Sequence, residues 1–487
     1  TTTPAFRGAF DGILQGTGHG HLFQGPYLRV GLPFRKGSER CDFFERLETQ
    51  YPPHLHQEQA WQRLQTGRRQ STLVATGTGS GKTECFLYPI LDHVLNMPSE
   101  RGIQAIILYP MNALASDQAR RFAAEIDRNA ATKGKIRVGL YVGGKGEESE
   151  TMTPESVITS RDELRRNPPD ILLTNYKMLD YLLMRPEDRE LWSGNHSETL
   201  SYLVVDELHT FDGAQGTDLA CLIRRLKARL KTPEQHLCCV GTSATLGNES
   251  GRGSMIQFAE DIFGESFGRA EEAVITENRI SPAEHIGLSR LETRWNDSPG
   301  PEHHEALIPS RYASIEAYAA AQVGLWFPEA TPLEFKAPAD RFTLAEHLRD
   351  HQFLRTVLTI LGKKTTTPEA QLLQAIKERR PNWDLGHLRL IAHSFLSLCA
   401  FARDRIGEAG TAPFLQIRSE VWMRELTRLV GTVAPKPEIK FSIDLPAEPL
   451  NQHLPVLHCR DCGVMGWGAR QKTNSNELMP ELDKFYR

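Results

Sequence analysis

No apolar run in the 487 residues approaches the roughly 18 that a membrane-spanning helix requires. The opening Thr1-Thr2-Thr3-Pro4 shows neither the basic nor the apolar region of a secretory signal. A soluble, cytoplasmic protein without a membrane partner is therefore expected. Cysteine is scarce, eight in all, and Cys85, Cys221, Cys238, Cys239 and Cys399 lie inside apolar stretches, which excludes a disulfide-stapled scaffold. An excess of charge is missing as well: 57 Lys and Arg stand against 61 Asp and Glu, leaving a formal charge of -4. A histone-like basic coat is excluded, so any contact with nucleic acid must be local. There is no internal repeat and no low-complexity tract, which argues against a solenoid.

At about 150 residues per domain, the length suggests roughly three domains. Residues 1–53, rich in Gly and Pro, read as an irregular lead-in with one strand. Over 54–270, short apolar runs such as Thr72 to Ala75, Ala105 to Tyr109, Ile171 to Leu173 and Tyr202 to Val205 alternate with helical stretches. Near-continuous apolar strands separated by helices predict an α/β domain, a parallel sheet with helices on both faces. Residues 271–345 lose this periodicity and read as a linker or extended wrap. Residues 346–450 read as a mainly helical accessory domain, with Leu385, Leu388, Leu390, Ile391, Phe395, Leu396 and Cys399 approximating one stripe and Val421, Leu426, Leu429 and Val430 another. A short strand is expected at 439–443, and 451–487 as a knuckle-like segment.

The strongest chemical signal is Thr76-Gly77-Thr78-Gly79-Ser80-Gly81-Lys82-Thr83, between a predicted strand and a predicted helix. Glycines let backbone N–H groups approach a phosphate while the helix N-terminus adds partial positive charge. Thr78, Gly79, Ser80 and Gly81 are thus candidate nucleotide contacts, Lys82 reaches the β- and γ-phosphates, and Thr83 can ligate Mg²⁺. Next, Leu203-Val204-Val205 delivers Asp206 and Glu207 to the C-terminal end of a buried strand, the edge where parallel sheets place ligands. Asp206 is the expected Mg²⁺ carboxylate, and Glu207 the group that orients and deprotonates the attacking water. A third turn, Gly241 to Leu246, ends the strand that follows.

This ordered set resembles the superfamily 2 helicases: a phosphate loop, a DExH box at Asp206-Glu207-Leu208-His209 and a Ser-Ala-Thr motif at Ser243-Ala244-Thr245. The resemblance implies a RecA-like lobe using ATP and Mg²⁺, with His209, Ser243, Ala244 and Thr245 coupling hydrolysis to movement. It implies an adenine-reading Gln in His56-Gln57-Glu58-Gln59, with Gln57 preferred and Gln59 second. It also implies strand-gripping motifs at Tyr109-Pro110-Met111-Asn112-Ala113, Gly143-Gly144 and Thr174-Asn175-Tyr176-Lys177. Pro110, Asn112, Ala113, Gly143, Gly144, Thr174, Asn175 and Lys177 are the nucleic-acid candidates, contacting phosphates rather than reading bases. The wording of these motifs is most similar to the DNA helicases of the mitomycin-repair type and the large helicases of Druantia anti-phage systems.

Cys459-x-x-Cys462 resembles half a zinc knuckle, but a structural zinc needs four ligands. His453, His458, Cys399 or a part of the protein outside this chain are candidates for the rest, and a reduced turn without metal is the other reading. The helicase resemblance also calls for a second RecA-like lobe, and no Gln-x-x-Gly-Arg-x-Gly-Arg motif occurs between 271 and 487. This suggests that the chain is part of a longer protein and is weakly active alone, because an arginine finger is worth about 10³ to 10⁵ in turnover. The expected activity is an ATP-dependent DNA helicase or translocase in anti-phage defence or repair. Expected partners are single-stranded or partly duplex DNA, with RNA left open, and the proteins of a defence complex. The alternative is a nucleotide-switched scaffold without strand-coupled motor activity.

Overall fold

The computed structural model describes the chain except residues 1, 19, 50, 78, 98–101, 145–147, 245–250, 288–292, 363–365, 407–409, 447–451, 477 and 480–487. It divides into two units, residues 34–279 and residues 1–33 with 280–487.

In the 34–279 unit seven strands form one parallel sheet: β1 (Thr72–Ala75), β2 (Ala105–Tyr109), β3 (Val138–Tyr141), β4 (Ile171–Asn175), β5 (Tyr202–Val205), β6 (Cys238–Ser243) and β7 (Val274–Thr276). Their order across the sheet is β3-β4-β2-β5-β6-β1-β7. The strands are apolar throughout because both faces are covered. Ala105, Ile107 and Tyr109 pack toward one layer, with α1 (Leu55–Leu64), α2 (Lys82–Asn96) and α3 (Asn112–Arg128). Ile106 and Leu108 pack toward the other, with α4 (Tyr176–Met184), α5 (Gly213–Leu230) and α6 (Arg252–Phe263). Burying one such side chain stabilises the fold by about 1.5–3 kcal/mol. This is a RecA-like sheet, and it puts every βα turn on one rim. The basic run Arg224 to Lys231 ends α5, whose Leu219, Leu222, Ile223, Leu226 and Leu230 are buried; Arg224, Arg225, Arg229 and Lys231 are exposed, while Lys227 pairs with the buried Glu265.

The other unit corrects several expectations. The lead-in holds a helix, Pro4–Leu14, and a nine-residue strand, Phe23–Gly31. Residues 271–345 are no extended wrap: helices Ile315–Trp326 and Pro338–Arg349 bury Val323, Trp326, Leu344 and Leu348 in a core shared with Leu388, Ile391 and Phe395. Their spacing was masked by weak amphipathicity, since Ile315–Trp326 is apolar nearly all round. Helix Leu385–Phe401 carries the expected stripe, although Leu385 itself is exposed. Beyond it the chain turns to strands. Val421 lies on Gln416–Met423, which pairs antiparallel with Phe23–Gly31, and Leu429 and Val430 lie on Leu429–Thr432. β-branched and aromatic residues there favour pleated backbone over the helix that their spacing allowed. The expected strand near 439 is Ile439–Phe441, part of a four-stranded sheet with Leu429–Thr432, His453–His458 and Met465–Trp467. No helix among the described residues is long and apolar enough to cross a membrane.

Candidate functional site

The phosphate loop leaves β1 and enters α2 at Lys82, as a strand, glycine-rich turn and helix. Gly81 caps the helix at φ +79°, a conformation that strains any residue with a Cβ, and a Cβ there would also push against Gln57 Nε2 at 2.4 Å. Gly79 also has a positive φ and is exposed. The buried Ser80 is held by the Thr76 hydroxyl at 2.7 Å and by His56 Nε2, 2.8 Å from its carbonyl. Thr78 and Thr245 lie outside the described residues.

Lys82 Nζ donates to Glu207 Oε1 at 3.0 Å, bringing the phosphate lysine and the DExH glutamate together. Glu207 has φ +50°, a left-handed conformation that costs a non-glycine residue roughly 1–2 kcal/mol. That backbone turns its side chain from the end of β5 toward α2. His209 Nδ1 lies 3.4 Å from Glu207 Oε2 and 3.2 Å from the Ser243 hydroxyl, so the expected coupling pair is in contact and linked to the carboxylate. Ala244 follows Ser243 just past the end of β6. Thr83 Oγ1 donates to Gln118 Oε1 at 3.2 Å and lies beside Arg121, which pairs with Glu84.

Thr242 is a residue that motif reading missed. Its hydroxyl accepts from the Glu207 backbone N–H at 3.1 Å and donates to Asp206 Oδ1. The signal for it lay in register: β5 and β6 pair Val205 with Gly241, which sets Thr242 beside Asp206. Burial raises the Asp206 carboxyl above its ordinary value, the Thr242 hydrogen bond opposes that rise, and the Glu207 charge adds to it. Glu277 was also missed; its carboxylate accepts from the Gly77 N–H at 2.9 Å and from Arg279 Nε at 3.0 Å.

The donor set suits Mg²⁺, a hard cation that takes oxygen ligands: the Thr83 hydroxyl follows Lys82 directly, and the Asp206 carboxylate lies on the β5 tip beside Glu207. The adenine expectation meets competition within the chain. Gln57 Oε1 accepts from the His54 N–H at 2.9 Å and Gln57 Nε2 donates to the Gly81 carbonyl at 3.3 Å, so a base would have to exchange those partners. Gln59 is half-buried on the same helix.

Three of the nucleic-acid candidates are tied together on the rim. Asn112 Nδ2 donates to the Gly143 carbonyl at 3.2 Å, and Asn175 Nδ2 donates to Asn112 Oδ1 at 2.6 Å. Asn175 also caps α4 through the Met178 N–H. Ala113, Gly144 and Lys177 are exposed beside them and Pro110 is half-buried. Thr174 is a correction: it is fully buried, and its hydroxyl donates to the Tyr141 carbonyl at 2.6 Å, so it supports the tip from beneath. Tyr109, the first residue of the Tyr-Pro-Met-Asn-Ala motif, is core.

Cys459 and Cys462 are exposed free thiols on a tight turn closed by the Gly463 N–H donating to the Cys459 carbonyl at 3.0 Å. The Cys462 backbone N–H is the main group holding the Cys459 thiol below its usual value. Among the described residues no group of three or more His, Cys, Asp or Glu is arranged to hold a metal ion. Cys399 is sealed in the helical core and its thiol is pushed up by burial. Among the described residues the donors present therefore do not make up a closed four-ligand zinc site.

The family model described as DEAD/DEAH box helicase matches residues 54–251. The Druantia protein DruE of Escherichia coli (strain UMEA 4076-1) is 30% identical over 378 residues, covering 55% of this chain and 20% of that protein. The Lhr helicase/uracil glycosylase of Escherichia coli (strain K12) is 34% identical over 226 residues, covering 43% of this chain and 13% of that protein. The chain thus spans a fifth or less of either relative. A crystal structure of the DUF1998 helicase MrfA bound to DNA aligns with a TM-score of 0.38 at 21% identity, over 66% of this chain and 44% of that one. Residues 54–251 are a DEAD/DEAH box helicase domain.

Proposed function

We propose that this helicase domain hydrolyses ATP to drive movement along a DNA strand, as part of a helicase or translocase. The observation that carries the reading is the unbroken line of contacts Lys82, Glu207, His209, Ser243, which runs from the phosphate loop to the Ser-Ala-Thr turn along one rim of the sheet. A site built only to hold nucleotide has no need of the last two members.

In this reading the loop N–H groups and Lys82 bind the β- and γ-phosphates, which replaces the Lys82–Glu207 ion pair with a Lys82–phosphate one. Released from Lys82, Glu207 accepts a proton from the water whose oxygen attacks the γ-phosphorus as the bond to the departing ADP oxygen breaks. Thr83 and Asp206 would hold Mg²⁺, which neutralises charge on the phosphates. His209 then senses the changed position of Glu207 and passes it to Ser243. The strand would lie across the tips that Asn112 ties together, so that a change at the ATP loop moves the grip. Charge-neutralising arginines would come from a second lobe; the relatives are several times longer than this chain and have room for one.

A role in anti-phage defence or DNA repair belongs to the same proposal, and its support is the likeness to the Druantia protein DruE together with the motif wording. The deciding experiment is ATP turnover of the intact protein with and without oligothymidylate. Stimulation by the strand supports a motor. Turnover indifferent to any strand supports the nucleotide-switched scaffold instead.

A further inference from the structure

In the unit formed by residues 1–33 and 280–487, strands Gln416–Met423 and Phe23–Gly31 pair antiparallel, flanked by Thr367–Pro368. One face of this sheet is core: Leu28 and Val30 point into it, with Ile417 opposite Val30 packed against the same cluster. Alternation sends Tyr27 and Arg29 to the other face, with their cross-strand partners Glu420 and Arg418. Trp422, two residues beyond Glu420, shares that face.

Two features of this face have no explanation in the fold. Tyr27 and Trp422 are stacked, with ring centroids 4.3 Å apart and an interplanar angle of 26°, yet Trp422 remains 49% exposed. Its indole N–H donates to Glu420 Oε2 at 3.2 Å, so the ring is tied at one edge and stacked on Tyr27 while about half of it stays exposed. Beside this pair, Arg29 sits directly opposite Arg418. Like charges in direct cross-strand register destabilise a sheet, and neither arginine makes an ion pair among the described residues. An open aromatic face next to two unneutralised guanidinium groups suits a ligand with flat rings joined by an anionic backbone.

We propose that this sheet face is a second contact for single-stranded DNA, in which a base continues the Tyr27–Trp422 stack and adjacent phosphates pair with Arg29 and Arg418. The choice of ligand rests on the motor reading above; the geometry of the face does not. Glu420 sits among these groups and would repel a phosphate, so the contact is through the outer side of Trp422 and the arginine end of the face. Such a surface reads no sequence, as a moving motor requires, and lies outside the helicase domain.

The test is oligothymidylate binding to the full 487-residue chain, measured against salt, for wild type, Trp422→Ala, Trp422→Phe and Arg29→Gln/Arg418→Gln. Loss of the indole should weaken binding about tenfold, and Phe should restore most of it, because stacking tolerates any aromatic ring. The double arginine variant should reduce the salt slope by about 1.4, roughly 0.7 for each lost phosphate contact on a single strand. A merely structural role would move neither the slope nor the Ala-to-Phe difference. Wild-type binding that all three variants leave unchanged would overturn this proposal alone. If wild type binds no strand and its turnover ignores one, the motor reading fails instead.

Discussion

The ammonium group of Lys82 and the carboxylate of Glu207 are joined at 3.0 Å, so the cation that should meet ATP is held by the group that should activate water. Nucleotide must displace this ion pair before either residue can act. Removing the charge of Glu207 therefore has two opposite effects. Glu207→Gln should bind a fluorescent ATP analogue at least as tightly as wild type, because Lys82 is freed, while turnover falls by about 10² to 10⁴ as the general base is lost. Lys82→Ala should lose nucleotide binding. Equal turnover in Glu207→Gln and wild type would remove the assigned role.

Thr242 predicts a shift in pH dependence. Its hydrogen bond opposes the rise that burial imposes on the Asp206 carboxyl. Thr242→Val removes that opposition, so Asp206 should take up its proton at higher pH than in wild type. The acid limb of Mg²⁺-dependent turnover then moves to higher pH, and more Mg²⁺ is needed on that limb. Thr242→Ser, which keeps the hydroxyl, should follow the wild-type profile; an unshifted limb in the Val variant would refute the link.

On the rim, Asn112→Ala cuts both hydrogen bonds that tie the Gly143 and Asn175 tips. Strand-stimulated ATPase should fall more than basal ATPase. Lys177→Ala, which removes an exposed charge, should weaken strand affinity about equally for all sequences and lower the salt slope by about 0.7. If neither variant changes strand affinity or stimulation, the track lies elsewhere.

His93, in α2, is buried edge-on against Tyr202, with centroids 5.2 Å apart and no hydrogen bond to either ring nitrogen among the described residues. Burial holds its pKa at about 4, well below the 6.5 of an exposed imidazole. Because the unfolded chain takes up the proton first, the stability linked to His93 is complete above that ordinary value. It is lost as pH falls from there toward the folded value, at up to about 1.4 kcal/mol per pH unit. Urea unfolding of His93→Phe should show a shallower decline between neutral pH and about pH 5 than wild type. A parallel decline in both would mean that other groups carry the dependence.

The phosphate loop, the Asp206-Glu207 pair and the parallel α/β class were legible in the sequence because each is local. A four-residue apolar strand, glycines at fixed offsets and a helix pattern lie within a few dozen residues, and their chemistry follows from residue type. What tertiary structure decided is everything that depends on register between distant segments. Thr242 reaches Asp206 only because β5 and β6 are neighbours, and Asn112 meets Gly143 and Asn175 only because β2, β3 and β4 end on one rim. The engagement of Gln57 with His54 and Gly81, and the burial of Thr174, came from packing that a motif does not encode. Spacing also misled around Val421, where positions that suit a helical stripe equally suit a strand, and only pairing with Phe23–Gly31, almost the whole chain away, settled the backbone. Local sequence determined which chemistry is present; long-range pairing determined which side chains touch, since the energy of a contact depends on neighbours that the chain brings together only when folded.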